Sequence, residues 1–538
     1  MELFEFEKLV LDTKRNLPTG EFLLNKRSLA LVGKTIAKAI NQSNSIVIYG
    51  DYDVDGIATS TMLQEFIEDV SKVINKNVKV DVNISTRYSS GYGMSIEKVK
   101  SLAQEYDLII GVDHGANAEF LEEFNNEEAK MIIFDHHKSE KNNFDFVINP
   151  AEQGIKGISS GIVVKKFIDY FLEMTKIDLS PDKYTDLEAL TIISDMAELN
   201  DYSRKQLQIG LKKINEKKRF CFKSNVGEVS HKDLSFGVIA KVNAVGRMRD
   251  DIDFLVEWIK ESRDYKKWKI TTNKIEEINN EKKNIVNKYF NKFMLEYEKQ
   301  HRENDGLLLY IADDIPTGVN GLIAQRLFQL TNKETVVMSK YNGKYTGSGR
   351  GHDIYNTVKK INDAIKSTKN EDGFKFGGHD KAIGLSFQKE KLDTFSFHAK
   401  YVEVKEPEKV EILGKINVSK LKEFSTTLNS ITDGIPLDRK FWFSLEDYGL
   451  QNIKRYKNNY ASVQLSDGEE TVNCFLNLDV IQEEHIRKGN ALKVNVDELF
   501  DSSDSFRFSI ESSLKYPYGI DFHDVQEERK MVARGAGR

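Results

Sequence analysis

Three carboxylates follow a short apolar run near the start of the chain. Asp51, Asp53 and Asp55 lie in the sequence DYDVDG, directly after the apolar segment SIVIYG. Like charges this close repel one another and cost free energy to desolvate, so the cluster favours a bound cation. A solvated, Asp-rich turn is the alternative. A calcium loop of the EF-hand type does not fit, because the twelfth position counted from Asp51 is Met62 instead of Glu.

More ligand-type side chains follow other apolar runs. Asp113 comes after LIIGV, Asp135, His136 and His137 come after MIIF, and Asp195 comes after TIIS. In an α/β sheet, ligands bind at the carboxyl ends of the strands, so residues distant in sequence can converge there. A shell of Asp and His without Cys suits Mn²⁺ or Mg²⁺ better than structural zinc.

The elements that would position these residues can be predicted from hydrophobic patterns. Apolar runs alternate with amphipathic stretches over residues 45–149, which predicts a parallel sheet covered on both faces. Residues 247–305 lack Gly and Pro and carry a narrow apolar seam, which predicts one long helix. We prefer a connector between domains to a coiled-coil partner, because the seam does not keep strict heptads. β-rich pieces after Pro407 predict a small antiparallel barrel or sandwich.

The composition limits the class of protein. The chain has 538 residues, enough for about three domains, and a net charge of −6. Only two cysteines are present, which excludes a disulfide framework and fits a reducing compartment. Without a signal-peptide pattern or an apolar stretch of about 18 residues, a cytoplasmic protein with no membrane partner is predicted. The negative net charge confines any polyanion site to local clusters.

The ordered set of motifs resembles a known family. Similarity to the four motifs of the DHH phosphoesterase superfamily is found in DYDVDG, VDHG, FDHHKS and ISDMAEL. Similarity to the RecJ single-strand-specific exonucleases is found in STRYSSGYGM, NAVGRM, GVNGLIAQRL, GSGRG and GGHDKAIG. The resemblance covers roughly residues 40–400 and continues more weakly through the β-rich region. It implies a metal-dependent 5′→3′ exonuclease that degrades single-stranded DNA to mononucleotides in DNA repair, recombination or replication.

The resemblance also implies a domain organisation of the α/β class. A parallel-sheet DHH domain would be joined by a long helix to a smaller α/β DHH-associated domain, followed by an antiparallel OB-like β-barrel. The expected boundaries are 1–246 for the DHH domain, 247–305 for the connector helix, 306–404 for the DHH-associated domain, 405–515 for the OB-like domain and 516–538 for a flexible basic tail.

Individual roles at the metals are implied as well. One ion would be held by Asp55, Asp113, His136 and Asp195. A second would be held by Asp53 and the bridging Asp113, with Asp51. His137 would contact the scissile phosphate, and Asp135 is the other candidate catalytic residue. Tyr49 stands where some relatives have a His, and because a phenol is a poor ligand at neutral pH, the second ion would either bind weakly or depend on substrate.

A pocket for the terminal 5′ phosphate is implied by the remaining motifs. Its members would be Arg87, Arg247, Ser348, Arg350 and His379. By itself, GSGRG could be an ordinary turn, Gly-Gly-His would more often be a turn, and Arg247 would more often be an ordinary charge that flanks a helix. The glycines of GSGRG would let backbone N–H groups approach an anion, and Arg350 could bind phosphate oxygens through two hydrogen bonds. A pocket for a chain end beside the metals predicts an exonuclease rather than an endonuclease.

The β-rich segment would guide the strand toward the metals. Its interleaved aromatic and basic residues have the composition of a single-strand platform, with Trp442, Lys454, Arg455 and Tyr456 as the candidate contacts. The alternative is that half or more of these aromatics are barrel core. Besides single-stranded DNA, a single-strand-binding protein or other recombination proteins are candidate partners.

Two competing functions belong to different classes. A DHH phosphodiesterase acting on short oligonucleotides or cyclic dinucleotides would not need the connector, the GSGRG and NAVGRM motifs or the β-rich domain. A non-catalytic replication scaffold would not need the intact acidic set. The sequence therefore favours the exonuclease over both.

Overall fold

The computed structural model describes most of the chain. The described residues are 1–86, 94–118, 120–121, 131–139, 144–216, 218–222, 227–260, 264–300, 306–369, 373–404, 411–432, 435, 437, 439–456, 460–478, 483–496 and 507–513. They fall into two compact units. The N-terminal unit comprises Lys14–Asn279 with Ile435–Asp438, and the C-terminal unit comprises Met1–Thr13, Asn280–Gly434 and Arg439–Arg538.

Both units contain helices and strands. The α-helices are α1 (Leu3–Arg15), α2 (Lys26–Asn41), α3 (Val54–Val73), α4 (Ile96–Glu105), α5 (Ser160–Thr175), α6 (Thr185–Ser194), α7 (Asp201–Asn215), α8 (His231–Leu234), α9 (Ala240–Met248), α10 (Phe254–Ile259), α11 (Tyr265–Gln300), α12 (Asn320–Thr331), α13 (Ile354–Lys369), α14 (Leu392–Tyr401), α15 (Val418–Thr432) and α16 (Glu483–Arg487). The strands are β1 (Ile46–Gly50), β2 (Val80–Ile84), β3 (Leu108–Val112), β4 (Met131–Phe134), β5 (Val147–Ile148), β6 (Leu308–Ile311), β7 (Thr335–Tyr341), β8 (Lys344–Arg350), β9 (Lys375–His379), β10 (Ala382–Gln388), β11 (Lys415–Ile416), β12 (Phe441–Leu445), β13 (Gly449–Arg455), β14 (Tyr460–Ser466), β15 (Thr471–Asn477), β16 (Leu492–Val496) and β17 (Arg507–Ser513).

The N-terminal unit is built on a parallel sheet with the strand order β2-β1-β3-β4-β5. β1, β3 and β4 are buried along their whole length, as a sheet covered on both faces requires. Their carboxyl ends are level, because Gly50 pairs with Val112 and Val112 with Phe134. The residues that follow these three strands therefore meet along one edge of the sheet. The predicted parallel α/β sheet is confirmed.

The C-terminal unit contains two further sheets. One has the order β6-β7-β8-β10-β9, and the other has the order β11-β12-β16-β17-β15-β14-β13. Most neighbouring strands in both are antiparallel. A second α/β region and a β-rich region are thus confirmed. In the described residues the seven-stranded sheet does not close on itself, so the OB-like barrel stays a prediction.

The long helix is shorter than predicted. Instead of one helix over residues 247–305, α10 comes first and α11 covers Tyr265–Gln300. The carboxylate of Asp253, just before α10, accepts hydrogen bonds from the Ile84 N–H at 2.7 Å and the Asn83 side chain at 3.3 Å. This anchor to the end of β2 lies at the break between α9 and α10, within the range predicted as one helix. Among the described helices, none has the length and apolar composition required to cross a bilayer.

A π-helix interrupts the next segment of the N-terminal unit. α8, the π-helix Ser235–Ile239 and α9 follow one another without a gap. A capping box between Ser230 and Asp233 starts α8. Such single-turn π-helices are rare and frequently lie at functional sites.

A buried ion cluster ties α3 to α6. The Arg219 guanidinium donates to both oxygens of Glu65 at 2.7 and 2.8 Å and to Asp186 at 2.6 Å. Burial disfavours the cation, but the two carboxylates outweigh this and raise the pKa of Arg219 well above its usual range. Since α3 contains Asp55 and α6 ends at Asp195, the cluster fixes two helices that carry candidate metal ligands.

We expect Arg219→Met to lower the free energy of unfolding by about 3–5 kcal/mol, because it leaves two carboxylates buried without their cation. Urea denaturation followed by circular dichroism would measure the loss. Arg27→Met is the control: its ion pair with Asp145 is exposed, with side chains 79% and 53% accessible, and should contribute less than about 1 kcal/mol. Equal losses in the two variants would contradict a stabilising role for the buried cluster.

Candidate metal centre

The DYDVDG loop forms the first wall of the site. Asp53 caps α3 by accepting the Gly56 N–H at 3.2 Å, and Asp51 accepts the Ser85 hydroxyl at 2.7 Å. A Cβ on Gly56 would lie 2.4 Å from the Asp51 carbonyl oxygen, so only glycine fits there. The loop therefore holds three carboxylates in a fixed turn between β1 and α3.

Asp113 lies at the end of β3 in an unusual backbone conformation. Its φ of 66° is in the left-handed region, which non-glycine residues seldom adopt. The carboxylate is 2% exposed and lies 3.1 Å from His136 Nε2. The strained backbone thus brings a buried carboxylate against the imidazole that follows β4.

The acidic cluster, as we call the following side chains, is continuous. Its donor atoms form three groups, in each of which all atoms lie within 4.8 Å of one another: Asp51, Asp53 and Asp113; Asp113, His136 and His137; and Asp55, His136 and Asp195. Asp113 and His136 each belong to two groups. His136 Nε2 is 3.6 Å from Asp55, and its Nδ1 is 3.8 Å from Asp195. Every metal ligand predicted from the sequence is therefore brought into one cluster.

Ser160, which the sequence analysis missed, links two members of the acidic cluster. Its backbone N–H donates to Asp55 at 2.7 Å, and its hydroxyl donates to Asp113 at 2.7 Å. Gly161 N–H adds a longer bond of 3.3 Å to Asp55. These donors lie at the N-terminus of α5, where the helix dipole also favours negative charge. The SSG sequence before an apolar helix signals an N-cap, but it does not reveal which carboxylates the helix meets.

Three carboxyl groups of the acidic cluster, those of Asp55, Asp113 and Asp195, resist ionisation. Burial raises the pKa of Asp55 to about 6, with His136 opposing the shift and Asp53 adding to it, and burial and the charge of Asp55 raise the pKa of Asp195 to about 7. The pKa of Asp113 is raised well above its usual range by burial and by Asp55 and Asp53. A divalent cation would relieve both the burial and the repulsion. The oxygen and imidazole donors, with no thiol among them, fit Mn²⁺ or Mg²⁺.

His137, a member of the acidic cluster, also pairs with Asp135. Asp135 is 1% exposed and accepts from His137 Nδ1 at 2.8 Å. Burial opposes ionisation of Asp135, but this bond and the His137 charge lower its pKa to about 2. Burial also lowers the pKa of His137, while Asp135 and Asp113 raise it to about 9. His137 is thus an imidazolium held by Asp135, and 55% of its side chain is exposed.

Tyr49 lies on the core side of this edge. It is 1% exposed in β1, and its ring meets that of His114 edge-on at 4.8 Å. His114 Nε2 donates to the Tyr49 carbonyl oxygen at 2.9 Å. The weaker binding of a second ion that Tyr49 suggests stays a prediction.

The predicted phosphate-binding residues of the N-terminal unit are only partly described. Arg247 lies on α9, directly after Gly246. A Cβ on Gly246 would lie 2.5 Å from the Tyr52 carbonyl oxygen, so α9 packs against the DYDVDG loop itself. The part of α9 that carries Arg247 therefore lies against this loop. Arg87 lies outside the described residues.

The predicted phosphate-binding residues of the C-terminal unit share one end of its five-stranded sheet. Ser348 and Arg350 alternate on β8 and so project from the same face. A Cβ on Gly321, at the start of α12, would lie 2.8 Å from Arg350 Nη2 and 3.5 Å from Ser348 Cβ. Arg350 pairs with Ala382, which in turn pairs with His379. Two motifs and a helix N-terminus thus meet at Arg350.

The predicted platform residues have unequal exposure. Lys454, Arg455 and Tyr456 are exposed; Lys454 lies 5.5 Å from the Tyr456 ring, and Arg455 forms an ion pair with Glu483. Trp442 is 8% exposed, with the Lys493 ammonium 4.3 Å from its ring. Base stacking needs an exposed ring face. The burial of Trp442 therefore opposes the role predicted for it.

Comparisons with known proteins agree with the motifs. Residues 45–192 match the model of the DHH family, N-terminal domain. The single-stranded-DNA-specific exonuclease RecJ of Bacillus subtilis is 25% identical over 378 residues, which cover 66% of this chain and 45% of that protein. RecJ of Escherichia coli is 24% identical over 396 residues, 66% of each chain. The resemblance to this family is confirmed, and the matched region spans less than two thirds of these relatives' length.

The fold has relatives among solved structures. RecJ from Thermus thermophilus in complex with Mn²⁺ matches 93% of this chain and 72% of that chain, with a TM-score of 0.66 and 17% identity. The same protein in complex with Mg²⁺ gives a TM-score of 0.63 at 16% identity. At these identities the likeness concerns the fold, and it confirms the predicted α/β architecture.

We expect the stability of the metal-free protein to fall as pH rises from about 4, the usual Asp pKa in an unfolded chain, to about 7, the raised pKa of Asp195. An acid whose pKa is raised on folding keeps a proton that the unfolded chain has released, so its ionisation in this range favours unfolding. Thermal denaturation at a series of pH values would show the slope. Asp55→Asn should flatten it, and so should Mn²⁺.

Asp178→Asn, at an exposed carboxyl outside the acidic cluster, is the control and should leave the slope unchanged. A slope that is the same in the wild type and in Asp55→Asn would contradict the repulsion inferred for the acidic cluster.

Proposed function

We propose that this chain, whose residues 45–192 form a DHH-family N-terminal domain, is a metal-dependent exonuclease that degrades single-stranded DNA from the 5′ end to mononucleotides. The observation that carries this proposal is the acidic cluster, in which Asp113 and His136 join three groups of metal-ligand type. DNA repair, recombination or replication is the proposed setting, with single-stranded DNA as substrate. A single-strand-binding protein and other recombination proteins are proposed partners.

The ligand sets follow from the three groups. Asp55, Asp113, His136 and Asp195 would hold one Mn²⁺ or Mg²⁺. Asp51, Asp53 and Asp113 would hold the other. When bound, two such ions activate a water and stabilise the charge on the leaving oxygen of a phosphodiester. Ser160 and the N-terminus of α5 orient Asp55 and Asp113 for this role through the hydrogen bonds described above.

His137 is proposed to bind the scissile phosphate. Asp135 accepts from its Nδ1, so the ring is held as a cation whose Nε2–H can donate to a phosphate oxygen. Asp135 remains ionised because its low pKa reflects this partnership and three backbone N–H donors, those of Ala116, His136 and His137. The pair thus supplies positive charge next to an otherwise acidic surface.

The direction of digestion is proposed to come from residues that bind the 5′ end. Arg350 and Ser348 on one face of β8, with His379 at the same end of the sheet, offer charge-assisted hydrogen bonds to a terminal phosphate. Arg247 and Arg87 are proposed as further contacts of that end. A requirement for a free end would make the enzyme an exonuclease.

The remaining segments are assigned supporting roles. The division into residues 1–246, 247–305, 306–404, 405–515 and 516–538 is proposed to separate catalysis, connection, end binding, strand guidance and a basic tail. Lys454, Arg455 and Tyr456 are the exposed candidates for strand guidance. Both cysteines are buried free thiols, which suits a reducing compartment, and the cytoplasm is the proposed location.

The proposed function predicts Mn²⁺-dependent shortening of 5′-end-labelled single strands, with mononucleotides released even when the 3′ end is blocked. Asp113→Asn should abolish cleavage but keep single-strand binding, because Asn tolerates the left-handed backbone and removes only the shared charge. Denaturing gels would follow cleavage, and fluorescence anisotropy would follow binding. Asp178→Asn serves as the control and should cleave normally. Cleavage by Asp113→Asn above a few per cent of wild type would contradict the shared-ligand assignment.

End recognition predicts that Arg350→Ala loses about tenfold or more in efficiency on a 5′-phosphorylated strand, since charge-assisted hydrogen bonds contribute roughly 1.5–3 kcal/mol. The loss should be much smaller on a 5′-hydroxyl strand, which gives a coupling above about 1 kcal/mol in the double-mutant cycle formed by enzyme and substrate.

Lys344→Ala is the matched control for end recognition, because Lys344 is exposed at the opposite end of β8. Lys344→Ala should digest the 5′-phosphorylated and the 5′-hydroxyl strand with the efficiency of the wild type. If Arg350→Ala slows both strands equally, or if a 3′ block stops the wild type, the assignment of the 5′ end is wrong.

A further inference from the structure

Met196 directly follows the candidate ligand Asp195 and is strained and exposed at once. Its φ is 53°, in the left-handed region, and its side chain is 89% exposed. The Met196 N–H donates to the Ile193 carbonyl at 3.3 Å, and the Ala197 N–H donates to the Ile192 carbonyl at 3.0 Å. This is a Schellman motif that ends α6, with methionine at the position usually taken by glycine. Backbone strain and the exposure of an apolar side chain both disfavour methionine at this position in the folded chain by itself.

The surroundings of Met196 suit an uncharged group better than a phosphate. The carboxyl end of α6 carries partial negative charge, and the acidic residues Asp195 and Glu198 lie on either side of Met196 in the sequence. A backbone phosphate would therefore be repelled at this point. A nucleobase is uncharged and presents a flat aromatic face, which a methionine sulfur contacts favourably.

Met196 also lies within reach of a strand bound at the acidic cluster. Consecutive Cα atoms are about 3.8 Å apart, and Asp195 Oδ2 is 3.8 Å from His136 Nδ1. A strand whose phosphate meets the acidic cluster must place its adjacent bases to one side of it. From this placement we propose that Met196 contacts the face of a nucleobase next to the scissile phosphate.

This inference rests on the proposed function and names a base contact in the same site. Every base has an apolar face, so the contact would favour single-stranded nucleotides without selecting a sequence. It would also give a role to a strained methionine at a position where glycine would relieve the backbone.

The test separates the backbone from the side chain of Met196. Met196→Gly removes the strain, so its melting temperature should be unchanged or higher by roughly 1–2 °C. Its efficiency on oligo(dT) should fall about 2- to 12-fold, the range expected for a lost sulfur–aromatic contact, mainly through KM. On an oligonucleotide with abasic tetrahydrofuran residues at its 5′ end, Met196→Gly and wild type should be equal.

Two further variants control for the backbone change. Lys176 also has a left-handed backbone at a helix end, about 24 Å along α5 from Ser160. Lys176→Gly should therefore gain similar stability and digest both strands as the wild type does. Met196→Leu keeps an apolar side chain of similar size but lacks the sulfur, so its efficiency on oligo(dT) should lie between those of Met196→Gly and the wild type. Loss by Met196→Gly on both strands alike, or no loss on oligo(dT), would overturn the inference.

A binding measurement distinguishes failure of this inference from failure of the proposed function. In Ca²⁺, the anisotropy of labelled oligo(dT) reports affinity independently of cleavage. If the wild type binds oligo(dT) but cuts no strand in Mn²⁺ or Mg²⁺, the nuclease assignment fails, and weaker binding by Met196→Gly still supports the base contact. Equal affinity of wild type and Met196→Gly for oligo(dT), or no binding by either, overturns it.

Discussion

Repulsion among carboxylates at the ends of buried strands is the constraint on which this structure depends. Level registers between β1, β3 and β4 place Asp51, Asp113 and Asp135 side by side, where water is largely excluded. Their charges are tolerated because backbone N–H groups, hydroxyls and imidazoles surround them. Each stabilising group comes from a different element, and so the site can exist only when the sheet, α3, α5 and the end of α6 are assembled together.

The carboxylates are stabilised to different degrees, and this difference separates their roles. Asp135 is saturated with donors and stays ionised, which makes it a stable support for His137. Asp55 and Asp113 have fewer donors and raised pKa values, which leaves them with charge to offset. A divalent cation would offset the negative charge of Asp55 and Asp113. Carboxylates that follow adjacent strands, such as Asp113 after β3 and Asp135 after β4, thus take on opposite electrostatic roles.

The sheet edge could be predicted from the sequence, because strands buried on both faces are continuous apolar runs and their last residues are easy to locate. The convergence of Asp51, Asp113 and His136 follows from that topology. Ser160 could not be predicted, since an uncharged serine in the first turn of a helix looks the same whether it faces a carboxylate or solvent. The burial of Trp442 could not be predicted for a related reason: interleaved aromatic and basic residues do not show which face of a strand is buried. The long helix was overextended because the anchor at Asp253 leaves no trace in the apolar spacing.

The π-helix before α9 determines the rotational position of the residues of α9, among them Arg247. A π-helix contains one residue more per turn than the α-helix around it, and each residue of an α-helix turns the chain by about 100°. Deleting a residue from Ser235–Ile239 would restore regular hydrogen bonding but rotate everything beyond it by that angle. Gly246 would then no longer face the Tyr52 carbonyl, and a bulkier side chain would take its place. The π-helix therefore sets the rotational position of α9. Because of it, a segment that is capped at Ser230 presents Gly246 to the Tyr52 carbonyl several turns later.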